Sequence, residues 1–287
     1  MALTARPGGT TPTRTRLVLV HGSRLSHTQW APQIPLLSKD FDVVSPDLPG
    51  HGARAGEGFS LERAIGAVAG AVESGDPGAR VVLVGHSLGG YVAMAYAGCF
   101  PQRLDGLILV GSGAVPTGPG AAAYRLVAQV TERLGPARMT RVNDRVLRRL
   151  YAPAIVDEVI AGGYFFDATP AAWGEVMDRC RPSMLREVTC PVLIAGGQFD
   201  QLSLQSRRFA TAAPDGRTVR IARAGHLVGF DQPAALAEVI AGFAGAVGAP
   251  AAAGVDSPEA TMRVRRGQPG SRPSPSAMGM AASNRRV

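Results

Sequence analysis

The stretch Val81-Val82-Leu83-Val84-Gly85-His86-Ser87-Leu88-Gly89-Gly90 constrains the fold more than any other part of the chain. Four consecutive apolar residues, three of them valine, read as a strand buried on both faces, as strands of a parallel sheet are. The residues that follow are rich in small side chains, among them Gly89, Gly90, Ala93, Ala95, Ala97 and Gly98. They read as a helix that packs closely on the sheet. Between strand and helix lies Gly-x-Ser-x-Gly. A serine that attacks a carbonyl must protrude from a sharp turn, and Gly85 and Gly89 stand where a Cβ would clash. The helix start points its backbone N–H groups and positive dipole end at Ser87, where they favour a developing anion. A five-residue match alone is a weak signal. The strand before it and the helix after it make it specific against a glycine-rich turn without chemistry.

The rest of the chain repeats the strand–helix alternation. Short apolar runs recur at Leu17–Val20, Phe41–Val44, Leu107–Val110, Val192–Ile194 and Val219–Ile221. Leu61, Ile65, Val68 and Val72 keep a helical period after Ser60, an N-cap residue type. Leu236, Val239, Ile240, Phe243 and Val247 do the same after Pro233, which suits a first helical turn. The fold class expected is α/β: a mostly parallel sheet with helices on both faces.

The alternation breaks between Gly111 and Val188, where helical patterns run near Ala122–Leu134, Arg138–Tyr151, Ile155–Ala161 and Ala171–Arg181. This reads as a helical cap over the carboxyl edge of the sheet. The expected organisation is an arm at 1–15, a core at 16–113 and 188–247, a cap at 114–187, and a disordered basic tail at 248–287. The tail is rich in Ala, Gly, Pro, Ser and Arg and has no apolar period with which to offset its ordering entropy.

A nucleophilic serine needs a base, and the base needs an orienting acid. Of five histidines, His226 lies just after the last strand, where the order serine, acid, histidine places the base. Asp200 ends the segment after the strand at Val192–Ile194 and fits the acid. Asp231 is a rival that could instead cap the last helix. His21 reads as a structural residue that holds its loop. Two backbone donors should face the oxyanion. Leu88 N–H, directly after the nucleophile, is one. Ser23 N–H, in the loop Val20-His21-Gly22-Ser23 that Gly22 lets bend toward Ser87, is the other.

At these residues the chain resembles the α/β-hydrolase superfamily over roughly Arg16 to Val247. The resemblance rests on His21-Gly22 followed by Trp30, on Asp47-Leu48-Pro49-Gly50-His51-Gly52, on the elbow at Ser87, on Gly197 to Asp200 and on Gly225-His226. It implies an oxyanion loop, a structural turn, a nucleophile, an acid and a base, in that order. It also implies that the cap enters after the family's sixth strand. The family usually begins with two more strands than the 16 residues before Leu17 can hold, so that edge is expected to be shortened or absent. Branches that open epoxides or remove halides use an aspartate nucleophile, which Ser87 excludes by that analogy.

The chemistry expected is hydrolysis of a small or medium, mostly apolar carboxylic ester through an acyl-enzyme. A thioester, a carbon–carbon bond in an acidic diketone, or peracid formation are alternatives on the same site. A non-catalytic ligand-binding version of the fold is disfavoured by the complete set of three residues. Tyr164, Phe165, Phe166, Trp173 and Met177 either line the acyl pocket or form the core of the cap. Arg24, beside the oxyanion loop, would suit an acidic substrate. Arg138, Arg141, Arg145 and Arg148 read as a solvated helix face, or as an attractor of anions.

Composition removes other classes. The formal net charge is +8, but the arginines are scattered, so no nucleic-acid surface is expected. No His/Cys cluster, dinucleotide loop or phosphate loop is present in the sequence, so neither metal nor cofactor is expected. No apolar leader or uninterrupted membrane span is seen. Cys99, Cys180 and Cys190 read as buried free thiols in the reducing cytoplasm. Oligomeric state is not legible. Because nothing docks the tail, deleting 249–287 should leave Tm and kcat nearly unchanged. A Tm drop of several degrees would show that it packs.

Overall fold

The structure, a computed structural model, describes residues 14–115 and 135–247. The expected helix at 122–134, most of the arm and the tail lie outside these residues. The strands are β1 (Arg16–Val20), β2 (Asp42–Val44), β3 (Val81–His86), β4 (Gly106–Val110), β5 (Val192–Gly197) and β6 (Gly216–Ile221). They pair in the order β2-β1-β3-β4-β5-β6, every pair parallel. Each apolar run of the sequence is one of these strands.

Alternation of side chains explains the two cores. In β1, Val18 and Val20 face one side of the sheet and Leu17 and Leu19 the other. β3 divides in the same way, with Leu83 on the first side and Val82 and Val84 on the second. The central strands β1, β3, β4 and β5 are buried along their whole length, whereas the edge strands β2 and β6 are partly exposed. After the short α1 (Ile34–Leu37), α2 (Leu61–Glu73) and α3 (Leu88–Cys99) pack on the first face; Ser60 caps α2 by accepting Arg63 N–H. On the other face lies the final helix (Pro233–Val247), through Leu236, Ala237, Ile240 and Ala244.

The chain leaves β1 toward β2 on one side and returns to β3 on the other. A crevice therefore opens at the carboxyl ends of β1 and β3, the place where open α/β sheets bind ligands. Over this edge lie the described cap helices, Pro136–Leu150, Pro153–Ala161 and Thr169–Arg179, inserted between β4 and β5. The arginine face of Pro136–Leu150 is exposed, as expected, and so are Val142, Val146 and Leu150; Leu147 is the buried residue of that helix. Among the described residues, no helix is long and apolar enough to cross a membrane.

The thiols require a correction. Cys180 and Cys190 are buried, but Cys99 is exposed, because it ends α3 at the rim of the sheet where the helix no longer faces the core.

Three imidazoles are buried at the carboxyl edge and hold its loops. His21 donates Nδ1–H to Gly22 O at 2.8 Å and accepts Leu48 N–H on Nε2 at 3.0 Å. That bond ties the loop after β1 to the turn after β2. His51 donates Nδ1–H to Pro49 O at 3.0 Å and accepts Arg24 N–H at 3.3 Å. His86 donates Nε2–H to His226 O at 2.9 Å. A proton on the accepting nitrogen of His21 or His51 would set N–H against N–H, and burial penalises the charge in all three. Burial thus lowers His21 and His86 to about 3, and lowers His51 as well. The unfolded chain takes up these protons near the ordinary histidine value, whereas His21 and His86 in the folded chain wait until about 3. Stability from this source is complete above about pH 6.5 and is lost as pH falls below it. Tm should begin to fall near pH 6.5, ahead of carboxylate protonation. A Tm flat from pH 7 to 5 would contradict the neutral assignments.

Candidate active site

Ser87 sits between β3 and α3 with φ 53° and ψ −117°. This backbone region is rarely populated by non-glycine residues and costs of order 1–3 kcal/mol. Surrounding packing holds it there. Ser87 N–H donates to Val110 O at 2.8 Å, and Ser112 Oγ–H donates to Ser87 O at 2.9 Å. The two elbow glycines are needed as the sequence implied. A Cβ on Gly85 would strike the backbone of Gly89 and Gly90, and a Cβ on Gly89 would strike the carbonyls of Val20 and His21.

Ser87 Oγ lies 3.0 Å from His226 Nε2. His226 Nδ1 lies 3.0 Å from Asp200 Oδ1. Since Asp200 can only accept, Nδ1 carries the proton and Nε2 is free to accept from the serine. Asp200 is itself pinned: Oδ1 accepts Leu202 N–H at 2.9 Å and Oδ2 accepts the Ser203 hydroxyl at 2.7 Å. It is 4% exposed. Burial raises its carboxyl, but the donors from His226, Ser203 and Leu202 outweigh it and hold Asp200 below the usual carboxylate range. Asp200 is therefore charged beside the imidazole at neutral pH.

The loop after β1 presses on this serine. A Cβ on Gly22 would lie 2.9 Å from His86 Nδ1 and 3.3 Å from Ser87 Cβ. Gly22 N–H donates to Gln29 Oε1 at 2.7 Å, and Arg24 N–H is taken by His51. Ser23 N–H lies between these two engaged donors and, among the described residues, has no protein acceptor. In α3, Gly90 and Tyr91 N–H turn back to Ser87 O at 2.9 and 3.2 Å, while Leu88 N–H likewise has no protein acceptor among the described residues. Among the described residues both backbone donors are thus without a protein acceptor; Leu88 directly follows Ser87, and Ser23 directly follows Gly22, which presses on it.

The aromatic residues of the cap separate into two groups. Phe165 N–H donates to Arg24 O at 2.9 Å, its ring lies 6.0 Å from His51, and Phe166 lies beneath the Arg24 guanidinium at 5.8 Å. These three residues meet beside the loop after β1. Arg24 reaches this place with φ 69°, a left-handed backbone. Tyr164 instead donates to Asp144 Oδ1 at 2.9 Å, within the packing of the cap. Trp173 packs edge-on against Tyr91 of α3 at 6.1 Å, and Met177 packs with the same core.

Asp231 does not contact the imidazole, nor does it cap the last helix. Oδ2 accepts Gly225 N–H at 2.7 Å and Oδ1 accepts the Tyr151 hydroxyl at 2.8 Å. Gln29, Ser112 and Ser203 were missed by sequence reasoning. Gln29 lies seven residues from the glycine it serves, and no local pattern marks such a polar bond.

Comparison with known proteins agrees with this architecture. The Alpha/beta hydrolase family profile matches residues 17–239. A thermophilic esterase from Thermogutta terrifontis, solved with malate bound, is 29% identical with a TM-score of 0.66, covering 83% of this chain and 96% of that one. A pyrrolizixenacetamide deacetylase of Xenorhabdus hominickii is 40% identical over 100 residues, 33% of this chain and 37% of that protein. An uncharacterized hydrolase of Bacillus subtilis (strain 168) is 24% identical over 254 residues, 81% of this chain and 90% of that protein. With the B. subtilis protein set aside, the chain spans about a third of the length of the curated relatives it matches. With a profile running from the first strand into the last helix, and a six-stranded parallel sheet to match it, the chain belongs to the alpha/beta hydrolase family.

Proposed function

We propose that this chain is a serine hydrolase that cleaves a carboxylic ester of a small or medium, mostly apolar substrate through an acyl-enzyme. One observation carries the reading: the unbroken line from Ser87 Oγ through both nitrogens of His226 to Asp200, each step 3.0 Å. In this reading Ser87 Oγ attacks the ester carbonyl and passes its proton to His226 Nε2. The charged Asp200 stabilises the imidazolium that forms. Leu88 N–H and Ser23 N–H receive the oxyanion. His226 then gives the proton to the departing alcohol. Water repeats the sequence on the acyl-enzyme, and the acid leaves Ser87. Phe165 and Phe166, next to the oxyanion loop, supply apolar surface for the substrate. The similar proteins include an esterase and a deacetylase, which accords with this chemistry.

A fluorophosphonate probe followed by a panel of esters and thioesters tests the proposal. Ser87→Ala should abolish labelling and nearly all turnover while the circular dichroism spectrum and Tm hold. Full labelling of that variant would place the nucleophile elsewhere. Asp200→Asn keeps the shape but loses the charge, and in a comparable triad that costs about 10⁴ in kcat. An Asp200→Asn variant with wild-type turnover would remove Asp200 from the chemistry. A wild type that hydrolyses thioesters far faster than esters would overturn the choice of bond.

A further inference from the structure

The carboxylate of Asp231 joins two parts of the molecule that meet around His226. Gly225 N–H, held by Oδ2, is the peptide group immediately before the histidine. Tyr151, whose hydroxyl Oδ1 holds, belongs to the cap, at the carboxyl end of the helix Pro136–Leu150. The Tyr151 ring meets Phe230 edge-on at 5.7 Å. Phe230 in turn packs with Leu25 and with the cap residues Leu147, Val156 and Val159. Leu227, the residue after His226, packs against this same cluster. His226 is therefore flanked on one side by a residue held through a carboxylate shared with the cap, and on the other by a residue held through apolar contact with it. From the core side, His86 holds the carbonyl of His226. Burial first, and then the neighbouring carboxylate, raise the Tyr151 hydroxyl above an ordinary phenol, so it remains a donor.

We propose that Asp231 is a positioning residue that couples the seating of the cap to the alignment of His226. Tyr151 on the cap and Gly225 on the loop of the base share one carboxylate. The loop holds its register between Ser87 and Asp200 only while the cap is docked. Loss of the Tyr151 contact loosens the carboxylate, the carboxylate releases Gly225, and the imbalance falls on His226. Reaction rate is steeply sensitive to such placement, since a misplacement of about 1 Å can cost on the order of 10²-fold. A cap that moves when substrate enters would thus switch the base into position.

The proposal rests on the serine-hydrolase reading above, and the experiment separates the two. Wild type, Asp231→Asn, Tyr151→Phe and the double variant are compared in the full chain, well below the Tm of each. The quantities are the fluorophosphonate labelling rate, and kcat and KM for p-nitrophenyl butyrate. Tyr151→Phe keeps the ring on Phe230 and removes only the hydroxyl. Asp231→Asn should lower kcat and the labelling rate by about 10-fold to 100-fold, with KM changed far less. Tyr151→Phe should lower both rates by about threefold to tenfold, the range of one lost hydrogen bond. The double variant should be no slower than Asp231→Asn, because both changes act through one carboxylate. A simple structural clamp would lower Tm and leave the rates of the folded protein alone, and that result overturns the proposal. Losses that multiply in the double variant overturn it as well. If Asp231→Asn does not fold, Tyr151→Phe decides, and wild-type rates in that variant overturn the coupling. A wild type that neither labels nor turns over the ester overturns the serine-hydrolase reading and this proposal with it. A wild type that labels, with unaffected variants, overturns this proposal alone.

Discussion

The backbone of Ser87 is bent into a conformation that an isolated chain would leave at once, and much of the carboxyl edge is arranged to keep it there. β3 and α3 enter the turn from opposite sides, with Gly85 and Gly89 in backbone contact across it. β4 contributes the Val110 carbonyl that accepts Ser87 N–H, and Ser112, two residues past its end, ties down Ser87 O. The loop after β1 closes the remaining side through Gly22. Such strain persists only where its surroundings over-determine it. Here parallel pairing fixes the strand ends in register, so loops from three strands converge without any of them having to find its place alone. The hydroxyl turned toward His226 and the unengaged Leu88 N–H are consequences of that single bend.

The same constraint explains the buried histidines. An edge crowded with loop backbone must satisfy many N–H and C=O groups without water. An imidazole can donate on one nitrogen and accept on the other. His21 does both across two loops, and His51 does both beside it. Their neutrality is a condition of the arrangement, since a second proton would turn an acceptor into a donor facing a donor. Of the four histidines at this edge, His226 is the one whose ring reaches the serine hydroxyl, because its neighbours are occupied with backbone.

What was legible in the sequence follows from what is local. Short apolar runs mark all six strands, continuous in the four central ones because a strand buried on both faces leaves its signature in consecutive residues, and broken by Asp42 and Arg220 in the partly exposed edge strands β2 and β6. The elbow was legible because its glycines answer contacts a few residues away. Asp200 and His226 were legible by their order relative to strands, although 26 positions separate them. The supports were not. Gln29 reaching Gly22, Ser112 reaching Ser87 and Ser203 reaching Asp200 are single polar bonds with no period, and a serine or glutamine in a loop has many other uses. The cap was legible as helices but not as faces. The valines of Pro136–Leu150 are apolar at helical spacing and yet exposed, so spacing alone does not say what that helix covers. Cys99 misled for a related reason: an apolar neighbourhood along the chain is not a buried one at a helix end.

Asp200 and Asp231 show the limit most clearly. Each is an aspartate near the end of a strand or the start of a helix, each bonds to the loop that carries His226, and residue type gives no ground for choosing between them. The difference is the atom each one holds. Asp200 accepts from the ring and is buried with donors on both oxygens, so it remains charged and fixes the tautomer. Asp231 accepts from a peptide N–H next to the ring and from a phenol on another layer. A carboxylate on the ring can influence where the proton resides. A carboxylate on the backbone cannot, but it can set where the ring is. On the proposed reading, chemistry and placement are divided between two identical side chains by geometry alone, and the Tyr151–Asp231–Gly225 contacts leave the cap in physical contact with the loop that carries His226.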